Sequence, residues 1–240
     1  MRFAIFGDIH ANLEALHAVL EDAAAHECDQ YVCIGDIVGY NANPKECLDI
    51  VRNLNCPTVK GNHDEDSSSD SDLSGLNPLA VKALNWTREQ LDDTDKRWLR
   101  ELKFVRQVQD FTIVHATLDS PGSWAYVMNK FDAMASFSYQ FSSLCFHGHT
   151  HVPKIYMKDE NVRAITDPSV TIEPGRKYFI NVGSVGQPRD GDWRSAYAIY
   201  DMTNKQVVIR RLEYDIASAQ KKIIDAGLPE QLATRLNFGK

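Results

Sequence analysis

The feature that most restricts this chain is a repeated ending. Short apolar runs at 3–6 and 31–34 pass directly into Gly7-Asp8 and Gly35-Asp36, and a third at 57–60 passes into Gly61-Asn62. Between them lie residues 11–26, with Leu13, Leu16, His17, Leu20 and Ala24 at helical spacing, and residues 44–54, opened by a proline. Apolar runs of this kind fit strands covered on both faces. The β-α-β-α-β order predicts a parallel sheet with right-handed crossovers. Ligands gather outside the carboxyl ends of such strands, so Asp8, Asp36 and Asn62 are expected at one edge.

The remainder reads as α/β as well. Residues 65–75 are dense in Ser and Asp and nearly devoid of apolar side chains, which predicts a mobile loop. A lid is the alternative, because the segment starts beside His63. Residues 78–91 and 94–102 carry Leu79, Leu84, Leu91, Trp98 and Leu99 and predict an αα-hairpin. The stretch 65–102 is thus expected to be a helical insertion beside the site. A β-hairpin is predicted at 104–108 and 111–115, and five short runs (144–147, 152–157, 178–182, 196–200, 207–212) suggest a second, mixed sheet packed on the first. Helices are expected at 215–226 and 229–236. With 240 residues, no repeat and no linker, a single domain over 1–240 is the expectation.

Charge and cysteines exclude several classes. A net charge of −7 argues against stable nucleic-acid binding or attachment to an anionic membrane. No apolar stretch approaches the ~20 residues that cross a bilayer, and the first apolar run is too short for a signal peptide. Five cysteines, an odd number without C-x-x-C spacing, point to a reducing cytoplasm. Cys33 and Cys145 lie in strand-like runs and are expected to be buried.

Chemistry concentrates in four signatures: Asp8-Ile9-His10, Gly35-Asp36, Gly61-Asn62-His63-Asp64 and Gly148-His149-Thr150-His151, with His115 ending a strand before the last. His10 follows Asp8 by two residues, and an extended segment would point His149 and His151 the same way. Two dications ~3.5–4 Å apart repel unless an anion lies between them. A carboxylate serves with one oxygen on each, and Asp36, central in the order, is the natural bridge. A set of imidazoles, carboxylates and one amide oxygen suits two transition-metal ions, Mn first and Fe, Zn, Ni or Co next, rather than Ca or Mg. Without a thiolate, a closed structural zinc site is excluded. Hydroxide held between such ions attacks phosphorus in line. His63, spare in the ligand count, is then the general acid, with Asp64 orienting or charging its ring. Asn12 is either a helix cap or a phosphate contact, and Arg189 either a phosphate clamp or half of a structural ion pair. Trp124, Tyr126 and Phe131 either stack on a base or belong to the core. His147 is expected to be buried or to support a ligand.

These ordered motifs resemble those of the calcineurin-like metallophosphoesterases, D-x-H, G-D, G-N-H-D/E, H and G-H-x-H, over residues 3 to about 200. The resemblance implies an αββα sandwich of four layers, two mixed β-sheets flanked by helices. It implies Asp8, His10, Asp36 and His151 on one metal, and Asp36, Asn62, His115 and His149 on the other. Gly35-Asp36-Ile37-Val38-Gly39-Tyr40 and the run from Asn181 to Asp190 look like the small bacterial phosphodiesterase and diadenosine tetraphosphatase-like branch. The protein phosphatase branch continues its second motif as G-D-x-x-D-R-G and carries Arg before Gly-Asn-His; Val38-Gly39 and Lys60 stand here instead. The expected activity is hydrolysis of phosphodiester or pyrophosphate bonds in a small, nucleotide-type phosphorylated substrate. The alternatives are a phosphomonoesterase or phosphoprotein phosphatase, and a non-catalytic scaffold. Scaffolds resembling this family typically lack the histidine after the Asn ligand, which His63 supplies here.

Overall fold

A computed structural model describes all residues, 1–240. In chain order the strands are β1 (Arg2–Phe6), β2 (Gln30–Cys33), β3 (Val105–Val108), β4 (Phe111–Val114), β5 (Leu144–His147) and β6 (Lys154–Lys158). They continue as β7 (Val162–Ile165), β8 (Ser169–Thr171), β9 (Lys177–Asn181), β10 (Ser195–Asp201) and β11 (Gln206–Leu212). The helices are α1 (Leu13–Ala25), α2 (Pro44–Asn53), α3 (Asn62–Ser68), α4 (Pro78–Gln90), α5 (Asp93–Glu101), α6 (Lys130–Tyr139), α7 (Ile216–Asp225) and α8 (Glu230–Thr234).

Two mixed sheets form, in the orders β2-β1-β10-β11-β8 and β3-β4-β5-β9-β6-β7. The alternation of side chains along each strand explains how four layers arise. Phe3 and Ile5 of β1 point between the sheets, where they meet Ile113, Phe146 and Ile180 of the other sheet. Ala4 and Phe6 point outward and pack with Leu16 and Val19 of α1 and Leu48 and Val51 of α2. On the far side, Val114, Cys145 and Phe179 pack under Ala133 and Phe137 of α6. The helix–sheet–sheet–helix order follows from these clusters. Both faces of β1 are covered, which is why its sequence is apolar throughout.

β1 and β2 run parallel, as do β4, β5 and β9, so five strand ends open toward one edge. Four features depart from the expectations above. β10 and β11, expected in the second sheet, join β1 and β2 in the first, with β10 antiparallel to β1 and to β11, so that sheet is mixed rather than parallel. The run 57–60 makes only isolated bridges, Cys33 to Thr58 and Val59 to Lys103, and joins no sheet as a full strand. Residues 62–68 are helical, although 65–68 were expected within a mobile loop. Ser67 and Ser68 are buried there, and Arg88 donates to Asp66 O (2.8 Å) and Ser71 O (3.0 Å), which holds the segment down. Residues 130–139, α6, were not anticipated as a helix; Asn129 caps it by accepting from Phe131 N and Asp132 N. The αα-hairpin forms as α4 and α5, with Asp92 capping α5.

Candidate metal centre

The loops that follow these strand ends are laced together by backbone hydrogen bonds. Asp8 N donates to Gly35 O, His10 N to Asp36 O, Gly148 N to His115 O and Gly186 N to Asp8 O, each at 2.9 Å. Within these loops Asp8, His10, Asp36, His149 and His151 all have positive φ, between 48° and 68°. A non-glycine residue in that region costs on the order of 1 kcal/mol or more and persists only where the surroundings hold it. Five such residues at one strand edge are strain stored at a functional site.

Two groups of candidate ligands result: Asp8, His10, Asp36 and His151, and then Asp36, His115 and His149, with the ligand atoms of each group within 4.8 Å of one another. Asp36 belongs to both. Its Oδ1 accepts from His63 N (2.8 Å), which leaves Oδ2 at 3.5 Å from His10 Nε2 and 3.4 Å from His115 Nε2. A single oxygen, Oδ2, thus faces both groups. Asn62 starts α3 beside this group, and its buried Oδ1 has no hydrogen-bond partner.

The imidazoles show what the cavity is suited to hold. His10 Nδ1 donates to Val38 O (3.2 Å), and His151 Nδ1 donates to Gln187 O (2.6 Å). That fixes the tautomers, so both Nε2 atoms present lone pairs, and they face each other at 3.0 Å. Two acceptors in that position repel, and a cation between them removes the repulsion. His115 Nδ1 is held by Ile34 O (2.9 Å), its Nε2 buried without a partner. His149 is reversed, with Nε2 on Trp124 O (2.8 Å) and Nδ1 turned to the site.

Electrostatics agree. Burial pulls His115 down, but the Asp36 and Asp8 carboxylates outweigh it and raise it to about 10. Burial pushes His149 down to about 4 and lowers His10 and His151 well below the usual histidine range. The Asp36 and Asp8 carboxylates thus favour positive charge at His115, while burial keeps the other three imidazoles neutral, the state in which a ring nitrogen can ligate a metal.

Close approach explains the glycines of two signatures. A Cβ on Gly61 would stand 2.1 Å from Asp36 Oδ1, and one on Gly148 would stand 2.2 Å from Asp8 Oδ2. The ligand and its neighbouring loop share space that a side chain would fill.

Not every residue nominated from sequence faces the cavity. Asp64 does not touch the His63 ring; it accepts from Asp36 N (2.8 Å), Ile37 N (2.9 Å) and Gly61 N (3.0 Å), clamping two ligand-bearing loops. Burial, then Asp36, raises its carboxyl to about 7. Asn12 is buried and is the helix cap, accepting from Ala15 N (3.1 Å) and donating to Gly186 O (3.0 Å). His63 is buried, its ring makes no hydrogen bond, and it lies 4.4 Å from Tyr40 and 4.8 Å from His10 between ring centroids. His147 is buried and stacked on Phe179 at 4.0 Å, behind the ligands. Arg189 forms no ion pair; it bonds Gln187 Oε1 and lies over Tyr40.

A cleft of about 130 Å³ opens over the ligands, lined by Asp36, Asn62, His63, His149 and His151, by Tyr40 and Arg189, and by Leu76, Ala80 and Tyr126. Residues missed in the sequence are those that hold the ligands in place. Asn181 Nδ2 donates to Gly148 O (2.6 Å) and Thr150 Oγ1 (2.9 Å), and Ser184 Oγ donates to Asp8 O (2.8 Å). The Asn181–Asp190 run, quoted above only for its resemblance, is thus the brace of the site.

Residues 1–205 match the model of the calcineurin-like phosphoesterase superfamily domain. The chain belongs to that family. It is a metal-dependent phosphoric ester hydrolase by membership. It is similar to an uncharacterised protein of Methanocaldococcus jannaschii, 36% identical over 99% of this chain and 98% of that one. Among solved structures it resembles a metallophosphoesterase from Sphaerobacter thermophilus (40% identical, 100% and 99% of the chains covered, TM-score 0.89). A hypothetical protein from Pyrococcus horikoshii shares the fold (19% identical, 100% and 98% covered, TM-score 0.81). No helix is long and apolar enough to cross a membrane.

Proposed function

We propose that this phosphoesterase hydrolyses phosphodiester or pyrophosphate bonds in small nucleotide-type substrates. In this reading Asp8, His10, Asp36 and His151 hold one divalent ion, and Asp36, Asn62, His115 and His149 hold the second, with Mn the first metal to test and Fe, Zn, Ni or Co the others. The observation that carries it is the pair of ligand groups meeting at Asp36 Oδ2. Bound there, the ions supply Lewis-acid charge to the phosphoryl oxygens and make water nucleophilic at neutral pH. The chain supplies the rest. His63, free of hydrogen bonds beside Asp36, protonates the leaving oxygen. Burial holds its pKa below the usual histidine value although Asp36 pulls the other way, and an anionic phosphate entering the cleft would draw it back up toward the imidazolium. Tyr126, 53% exposed, stacks on His149 at 4.4 Å and forms with Leu76 a lip on which a base can stack.

Lys60, at the position of the phosphatase arginine, is buried with Nζ on Arg100 O (3.1 Å), which disfavours a phosphoprotein substrate. The test is turnover by manganese-supplemented protein of bis-p-nitrophenyl phosphate, p-nitrophenyl phosphate and a phosphopeptide. The diester should lead, and His63→Ala should lower kcat by ~10²–10⁴ with both ions retained. Metal lost in step with activity would refute the acid role, and absent turnover would favour the scaffold.

A further inference from the structure

Helix α6 is apolar on both of its faces. On the inner face Ala133 and Phe137 pack with Val114, Cys145 and Phe179 of the sheet. On the opposite side Phe131, Met134, Ala135 and Tyr139 share one stripe at helical spacing, and all four are exposed. Met128 and Phe141 extend the stripe past the two ends of the helix. A surface helix ordinarily turns charged residues to water, and one that is apolar all round is covered. Here Phe131 is 69% exposed, Met134 51%, Tyr139 58%, Met128 64% and Phe141 98%. With aromatic side chains of ~150–250 Å² each, these fractions come to on the order of 700 Å² of apolar surface. The largest patch on a typical monomer is ~300–600 Å². Each partner in a stable pair contributes ~800 Å².

Charge identifies the occupant. No Asp, Glu, Lys or Arg lies between Asp132 and Lys154, in a chain that is 25% charged and carries a net −7. Two copies of such a chain repel over most of their surface. A two-fold contact sets one face against itself, so any charge on it meets its own kind. A face without charges is where two copies can meet. Lys130 is the only basic residue of α6, too little to hold an anionic membrane. We propose that the outer face of α6 pairs with the same face of a second copy to form a two-fold dimer. Two residues before Met128, Tyr126 stacks on His149 and lines the cleft, and Trp124 O holds His149 Nε2. The contact thus adjoins the segment that orients a candidate ligand. It goes beyond the hydrolase reading and does not depend on it.

The test is sedimentation equilibrium of the full chain over ~1–100 μM. At the upper end the native protein should weigh twice 27.1 kDa. Phe131→Glu places a charge in the interface twice and should weaken association at least ~100-fold, with circular dichroism unchanged. Met134→Glu should do the same and decides the matter if Phe131→Glu does not fold. Ile224→Glu, at a side chain of α7 exposed to a similar degree (55%), should leave the dimer intact. A dimer that survives both α6 variants, or that only Ile224→Glu breaks, overturns the proposal. A native chain still monomeric at ~100 μM also overturns it and assigns the face to a different protein. Cosedimentation of the native chain with phosphatidylcholine vesicles, abolished by Phe131→Glu, overturns it in favour of a membrane surface.

Discussion

Adding one methyl group at Gly148 should empty half of the metal centre. The new Cβ would stand 2.2 Å from Asp8 Oδ2, 3.0 Å from Ile34 Cδ1 and 3.3 Å from Asp8 Cγ. An ordinary contact needs more than 3 Å, so the carboxylate must retreat by about 1 Å, whereas metal–ligand distances tolerate about 0.2 Å. The retreat also breaks the bonds from His149 N to both Asp8 oxygens (3.2 and 3.0 Å). Because the obstructing atom is the end of a side chain, the cost to the metal-free fold is that of modest overpacking, ~1–3 kcal/mol. At about 2–4 °C per kcal/mol for a chain of this size, Tm of the metal-free Gly148→Ala protein falls by about 2–12 °C. The effect on metal is larger. The Asp8–His10–His151 side should empty while the Asn62–His115–His149 side keeps its ion. Plasma mass spectrometry of dialysed protein and calorimetry with and without manganese measure both effects. Two ions held at native affinity would refute the close-approach argument.

Asp64→Ala removes the acceptor from four buried backbone N–H groups, those of Asp36, Ile37, Gly61 and, at 3.4 Å, Val38, at ~1–3 kcal/mol each. Tm should fall by at least about 8 °C, and an unchanged Tm with only kcat reduced would return Asp64 to the role of orienting His63. The pH dependence of the metal-free protein follows from its histidines. His149 at about 4 and His147 at about 3 lie below the unfolded value near 6.5, so their contribution is present above pH 6.5 and is lost as pH falls through it toward 4. His115, at about 10, has the opposite sign: its contribution is full below pH 6.5 and is lost as pH rises toward 10. Urea denaturation at pH 5, 7 and 9.5 should therefore show a maximum near neutrality, and a monotonic trend would contradict the assignments. Displacing the His115 proton also makes metal uptake at pH 7 release protons, detectable by calorimetry in buffers of different ionisation enthalpy.

What could be read in the sequence followed from locality. Asp8, Asp36 and Asn62 sit directly after apolar runs, and a strand's end is set by neighbours in the chain. Strands β1, β5, β9 and β10 were legible for the same reason, being apolar on both faces, but their division between sheets was not, since the antiparallel pairing of β10 with β1 is a contact between distant parts of the chain. Edge strands β7 and β8, mostly half-buried or exposed, have no such pattern. Helix α3 was hidden because its stability comes from tertiary bonds to polar side chains, Arg88 onto Asp66 and Asp64 onto the 35–37 turn, rather than from apolar spacing. The partner of each imidazole was also out of reach. Val38, Ile34, Gln187 and Trp124 contribute carbonyl oxygens, and a carbonyl carries no residue identity.

Asp36 is proposed to serve two ions at once. Its most direct test is metal stoichiometry in Asp36→Asn beside the native protein, both reconstituted with manganese and dialysed. The native chain should hold two ions and the variant should lose both together, because the amide removes the negative charge that lets two dications stand side by side. One ion remaining at full occupancy in Asp36→Asn would contradict it.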